Sequence, residues 1–221
     1  MSAEPELDAD RGRLRLAEPT LQALIAHAAD PVAAVLEDDA LPELARLRAA
    51  GVIRGGESHP ALAGALAAIV RPSLCTLQLS YDGRAMQGWA SYEDAALLLP
   101  APEGADERRT LLAVHPTLLP GALARLVGLA PRPRPEGAAP VSYEDGTLDG
   151  VIRRWRLEAA WTLASGTAGG TTLEMVDTEG GIWLLQPTDE GAPMAWPVTP
   201  TFAWRQLVRV VMRRDAATAA A

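Results

Sequence analysis

The sequence contains no lysine, and all 20 of its basic residues are arginines, against 28 acidic residues. Mechanisms that need a lysine amine, such as a Schiff base or a P-loop, are therefore excluded. The single cysteine, Cys75, excludes an intrachain disulfide and a cysteine-rich zinc site. The net charge of −8 disfavours non-specific binding to nucleic acid or to an anionic membrane.

Long apolar runs are also missing. No stretch approaches the roughly 18–20 apolar residues of a membrane span, and the acidic start Met1–Glu6 is unlike a signal peptide. A composition of 48% hydrophobic and 22% charged residues is typical of a globular chain that buries a core. We therefore expect a soluble, cytoplasmic protein that contacts neither membrane nor nucleic acid.

Hydrophobic periodicity predicts an α+β fold. Residues 13–130 begin with a strand at Arg13–Leu16, followed by helices, further strands and a helix after Pro116-Thr117. Residues 155–213 repeat strands followed by a helix that opens at Thr199-Pro200-Thr201. This similarity predicts a quasi-two-fold duplicated architecture of antiparallel sheets with flanking helices.

The remaining segments are expected to be less regular. Residues 1–12 and 214–221 have the composition of a disordered lead-in and a tail. Residues 131–154 are predicted to form a proline-rich linker and a short helical segment, with the helix around Leu148–Arg153. The hairpin turns of the second half are expected at Ser165–Gly170 and Asp177–Gly181.

A strong hairpin signal lies near the middle of the first half. Apolar residues alternate with polar ones up to Tyr81, and Asp82-Gly83 is a preferred two-residue turn. Met86 and Trp89 follow the turn, and such residues often anchor protein interfaces. Packing of Trp89 into the core is an equally open alternative.

No catalytic or metal-binding constellation is evident. His27, His59 and His115 lack partners at metal-ligand spacing, so we expect structural roles for all three. The glycine-rich segment Gly166–Thr172 lies between predicted strands and lacks the lysine of a phosphate-binding loop. Cys75 is expected to be buried and inert. These observations indicate a binding protein without enzymatic activity, metal or cofactor.

A winged-helix transcriptional regulator is the alternative function. Residues 19–91 have the element order of that module, three helices followed by a hairpin. The would-be recognition helix, Ala61–Ile69, has no side chain suited to a base edge or a phosphate.

Several segments together resemble the EspG family, the cytosolic chaperones of type VII (ESX) secretion in actinobacteria. They are an arginine-rich helix with its following turn, a short second helix start, two strand–hairpin regions and the opening of the last helix. In this chain they are Leu44–Ile53, His59–Leu62, Arg71-Pro72 with Leu77–Leu79, Met175–Gly181 with Trp183–Leu185 and Pro187, and Thr199-Pro200. Arg109–Leu129 followed by Pro131–Pro135 is similar to the family's mid-chain strand, helix and proline-rich join.

The resemblance implies a quasi-two-fold α+β chaperone that binds the tip of a helical secreted protein. The partner would be of the PE/PPE or WXG100 kind, and the chaperone itself a monomer or weak homodimer. The family's substrate contact includes the loop between its first two main strands. In this chain that loop is Tyr81, Asp82, Gly83, Arg84, Ala85, Met86 and Gln87.

Overall fold

The computed structural model describes residues 4–32, 41–70, 75–102, 104, 106–133, 138–144, 146–162, 166–188 and 191–212. Within them the fold is α+β with antiparallel sheets and flanking helices, as predicted. The helices are α1 Glu18–Ala29, α2 Leu41–Ala49, α3 Ala63–Val70, α4 Leu119–Leu126 and α5 Pro200–Met212. The strands are β1 Glu6–Asp8, β2 Arg13–Leu16, β3 Ile53–Arg54, β4 Glu57–Ser58, β5 Cys75–Tyr81, β6 Arg84–Ala90, β7 Ala95–Leu99, β8 Arg109–Val114, β9 Val141–Ser142, β10 Val151–Thr162, β11 Ala168–Thr178, β12 Gly181–Thr188 and β13 Gly191–Val198.

The chain forms two compact units. The first comprises Met1–Thr76 and Met86–Thr117, and the second comprises Leu77–Ala85 and Leu118–Ala221. The division differs from the two halves expected from the sequence, because α4 packs against α5 within the second unit. The hairpin turn after Tyr81 also belongs to the second unit.

The first unit places three helices against a sheet with the strand order β1-β2-β8-β7-β6. Strand β2 alternates between buried and more exposed positions, and its Leu14 and Leu16 are fully buried. The helices add Leu24, Leu44 and Leu66 to the same core. Burial of such side chains stabilises the unit by about 1.5–3 kcal/mol each.

The second unit contains the strand order β5-β10-β11-β12-β13-β9. Strand β10 has one apolar face, with Trp155 and Leu157 buried, and one charged face, with Arg154 and Arg156 exposed. The apolar stripe of α5, which includes Leu207, is buried in the same unit. The last helix therefore forms where its sequence pattern predicts it.

The expectation that residues 1–12 are disordered is wrong for the described part of that segment. Strand β1 pairs with β2, and a 3-10 turn at Ala9–Arg11 follows it. Arg108 holds this segment in place, since its Nη1 donates to Glu6 Oε1 at 2.7 Å and to the Glu4 carbonyl at 2.9 Å. The long-range ion pair supplies order that local composition does not indicate.

The helical segment expected around Leu148–Arg153 is also wrong. Val141–Ser142 is the short strand β9, and β10 already begins at Val151. Residues 146–150 form turns between them. The β-branched pair Val151-Ile152 and the pairing of β10 with β11 favour the extended conformation here.

Two hairpins of the second unit are longer than predicted. The turn expected at Asp177–Gly181 is limited to Glu179-Gly180, since β11 continues to Thr178. At the other end, β11 already starts at Ala168, inside the turn expected at Ser165–Gly170. Strand β13 was not expected at all, because it contains Pro193 and Pro197, which lack the N–H of a ladder bond.

Candidate functional site

The turn between β5 and β6 has the backbone conformation that the Asp-Gly pair predicts. Asp82 has a φ of 48° and Gly83 a φ of 70°, which is the left-handed pair of a type I′ hairpin turn. Both residues are exposed, and a Cβ built on Gly83 would meet no atom within 4 Å. The turn therefore presents open backbone to its surroundings.

A cavity of about 600 Å³ lies beside this turn, within the second unit. Its walls combine the turn with the neighbouring strands β10 and β11. The lining residues are Ser80, Tyr81, Asp82, Gly83, Arg84, Ala85, Arg154, Trp155, Arg156 and Glu174. We call this cavity and the residues that line it the turn groove.

Paired charges from β10 and β11 form one wall of the turn groove. Arg156 lies directly opposite Glu174 in the ladder, and Arg154 lies diagonally to it. Arg154 Nε donates to Glu174 Oε1 at 2.7 Å, and Arg156 Nη1 lies 3.8 Å from Glu174 Oε2. Arg156 Nε also donates to Glu158 at 2.8 Å. One carboxylate thus holds two guanidinium groups in register on the charged face of β10.

Arg154 is oriented by an aromatic contact as well. Its guanidinium carbon lies 5.5 Å from the ring centroid of Tyr143, within the range of a cation–π contact. Tyr143 is itself buried against Val176 and Leu185. The contact joins the wall of the groove to the core of the unit, so we expect Arg154 to be ordered.

A buried carboxylate fixes the proline-rich join in the same unit. Arg132 Nε and Nη2 each donate to Asp177 at 3.0 Å, a bidentate pair, and Asp177 is 5% exposed. The hydrogen bonds to Asp177 raise the pKa of Arg132 above its ordinary value. The segment predicted as a linker is therefore anchored at this residue.

Five of the seven predicted contact residues, Tyr81–Ala85, line the turn groove. The other two do not. Met86 is 0% exposed and belongs to the first unit, so its prediction as an exposed anchor is wrong. Gln87 is exposed on β6, where it lies opposite Leu98 of β7. Strand alternation turns Met86 inward and Gln87 outward.

The sequence prediction missed Arg154, Arg156 and Glu174. A signal for the arginines was present, since the period-two pattern of β10 places both on the face opposite Trp155. Glu174 is different, because its contribution depends on the register between β10 and β11. That register joins residues of two different strands, such as Arg154 and Glu174, and cannot be read from either strand alone.

The expected burial of the cysteine is confirmed, and the three histidines make contacts within the chain. His27 is buried and its Nε2 donates to the Gly56 carbonyl at 3.1 Å. His59 Nδ1 accepts the Ala61 N–H at 3.2 Å, and His115 Nδ1 lies 2.8 Å from Thr117 Oγ1. Cys75 is buried.

Two classes of feature are absent from the described part of the chain. No three His, Cys, Asp or Glu side chains there are grouped as metal ligands. None of its helices has the length and apolar character needed to cross a membrane.

The chain was compared with protein-family models and with curated proteins. It matches no family model and none of the curated proteins.

Proposed function

We propose that the protein is a non-enzymatic chaperone of the EspG type, which holds the tip of a helical export substrate in the cytosol. The substrate would be a protein of the PE/PPE or WXG100 kind. The observation that carries the proposal is the turn groove, an exposed two-residue turn beside a cavity of about 600 Å³. The same turn is the loop that the family resemblance implies for substrate contact.

The chemistry of the turn groove suits the end of a helix. The last four carbonyl groups of a helix have no partner within it and carry partial negative charge. Arg156 is about half exposed, and its Nε and Nη2 lie on Glu158. Its Nη1, 3.8 Å from Glu174, is placed to donate to a further acceptor such as these carbonyls.

Apolar surface in the turn groove would supply the remaining affinity. Tyr81 is half-buried, and the aliphatic stems of Arg154 and Arg156 add apolar area next to it. Tyrosine and arginine are the residue types that most often anchor protein interfaces. A partner bound here would thus be held mainly by buried side chains, with the charges fixing its orientation.

The test is co-expression with a PE–PPE-type heterodimer, followed by gel filtration and calorimetric titration. We expect a stable complex with the wild-type protein. Arg156→Ala should weaken binding by about tenfold or more, which is roughly 1.4 kcal/mol. The matched control is Arg209→Ala, an exposed arginine on α5 in the same unit, which should bind like the wild type.

Two results would refute the proposal. One is that no complex survives gel filtration while the heterodimer is soluble by itself. The other is that Arg156→Ala and Arg209→Ala bind with the same affinity as the wild type. Thermal unfolding of both variants verifies that neither substitution acts by disturbing the fold.

A further inference from the structure

Strand β11 is paired along its whole length on one side only. Residues 168–178 all lie opposite residues of β10. On the other side, β12 pairs only with Glu174–Thr178. Ala168–Leu173 therefore has one edge that no other strand in the described part of the chain occupies. We call this segment the free edge of β11.

The separation of β12 from β11 has a cause in the sequence. The ladder between them ends at the pair of Glu174 and Leu185, and Pro187 follows on β12. Proline has no N–H to donate and is disfavoured inside a sheet. The pairing of β12 with β13 is also irregular between Gln186 and Thr188. The end of β12 is thus unsuited to close the free edge.

The free edge lacks the residues that normally protect an edge strand. Its sequence, Ala-Gly-Gly-Thr-Thr-Leu, contains no charge and no proline. The outermost strands of the two units differ in this respect. The three-residue β1 contains Glu6 and Asp8, and β13, covered by β9 at only two residues, contains Pro193 and Pro197. Among these described edges, only the free edge thus combines a backbone without a neighbouring strand with a sequence that has no charge and no proline.

A specific contact keeps this end of the hairpin regular. Gly169 lies opposite Trp161, and a Cβ built on Gly169 would be 2.7 Å from Trp161 Nε1 and 2.9 Å from Cε2. The indole therefore lies across the glycine, where it covers the missing side chain. The ribbon is held in a strand conformation up to Ala168, and no described strand pairs with its outer side.

We propose that the free edge of β11 pairs in an antiparallel manner with the free edge of a second copy of this chain. Antiparallel pairing of identical strands is compatible with a two-fold axis, so both copies use the same surface. The axis lies either between two copies of Gly170 or between two copies of Thr171, because paired residues must share a sheet face. In both registers no charged residue of the segment faces an identical charge.

The size of the contact sets the expected affinity. Six residues extend about 20 Å, a short ladder by the standards of protein interfaces. We therefore expect a homodimer that forms reversibly as concentration rises. This inference is independent of the proposed chaperone function, since the turn groove does not include the free edge.

The first test is sedimentation velocity of the full chain from about 1 µM to about 1 mM. Thr172→Lys places a charge on the free edge at an exposed position, which the hairpin should tolerate. We expect this variant to dimerise at least about tenfold more weakly than the wild type. The control, Ala160→Lys, is exposed on the same hairpin but lies on β10, and it should dimerise normally.

The second test identifies the register. Gly170→Cys and Thr171→Cys are made separately and treated with a mild oxidant, and one of them should form an intermolecular disulfide. Cys75 is buried and should not interfere, and Ala160→Cys is the control that should not crosslink.

The proposal is overturned if the wild type is monomeric at all concentrations, or if neither cysteine variant crosslinks more than the control. A dimer that Thr172→Lys leaves unchanged also overturns it. The proposal is also overturned if the protein stays monomeric and its free edge binds only an added extended peptide.

Discussion

The Nε atom of Arg153 lies 2.8 Å from Oδ2 of Asp82 and joins the start of β10 to the turn between β5 and β6. Asp82 is also the one non-glycine residue with a positive φ in the described part of the chain. Asp82 thus combines an ion pair with a left-handed backbone conformation. Substitutions can separate the contributions of these two features to the free energy of unfolding.

Asp82→Asn removes the charge but retains a residue that tolerates the left-handed conformation. Because the ion pair is partly exposed, we expect its free energy of unfolding to fall by less than about 1 kcal/mol. Asp82→Val should lose about 1–2 kcal/mol more, since a β-branched residue is strained at a φ of 48°. Urea unfolding measures both. Equal stability of the two variants would mean that the turn does not hold position 82 in this conformation.

Met86 gives a second prediction. The side chain is 0% exposed, so Met86→Asp would bury an unpaired carboxyl group in the first unit. We expect a loss of more than about 4 kcal/mol in the free energy of unfolding. Met86→Leu conserves volume and polarity and should cost less than about 1.5 kcal/mol. Gln87→Asp, at the exposed neighbouring position, should be almost neutral. A Met86→Asp protein with wild-type thermal stability would contradict the burial of this residue.

The hairpin at Asp82 illustrates what local sequence determines. Alternation up to Tyr81 and the Asp-Gly pair predict the strand and a two-residue turn, and both agree with the structure. The sequence pattern does not determine which residues of the following strand face the core, since Met86 suits a loop anchor and a core position equally well. The folded chain decides between them, because it leaves Met86 0% exposed.

Other differences have the same origin. Pro193 and Pro197 argue against a strand until the sheet order places β13 next to an edge, where missing N–H groups cost little. The segment around Glu6 looks disordered until Arg108 pairs with it across about a hundred residues. In the turn groove, Glu174 is positioned by strand register alone. Periodicity predicts the elements, whereas pairing between elements requires the folded chain.

Gly169 provides a prediction about packing. Gly169→Val should displace the Trp161 indole, because the new side chain would occupy the same space. We expect a loss of about 1–3 kcal/mol in the free energy of unfolding. The measurement is the set of six indole N–H signals in an NMR spectrum, of which that of Trp161 should shift most. Gly191→Val is the control, since no atom lies within 4 Å of a Cβ built there. An unshifted Trp161 signal would contradict the contact.

Asp106 provides a prediction about pH. Hydrogen bonds from Arg108 hold the pKa of Asp106 below its ordinary value of 3.8. Because the folded state lowers this pKa, it favours the ionised carboxylate. The resulting stabilisation is present above pH 3.8 and is lost as the pH falls through the lower, folded-state value. Arg108 has a raised pKa, caused first by its hydrogen bond to Asp106, and remains protonated throughout.

Asp106→Asn should therefore have a lower free energy of unfolding than the wild type at neutral pH. Below pH 3.8, its free energy of unfolding should fall less steeply with decreasing pH than that of the wild type. Thermal unfolding between about pH 2 and pH 6 measures the slope. The matched control is Glu107→Gln, because Glu107 is an exposed neighbour that does not pair with Arg108 in the described structure. This variant should lose as much stability between neutral and acidic pH as the wild type does. If Asp106→Asn and the wild type lose stability in parallel as the pH falls below 3.8, the ion pairs of Asp106 with Arg108 and Arg15 contribute nothing to the acid sensitivity of the fold.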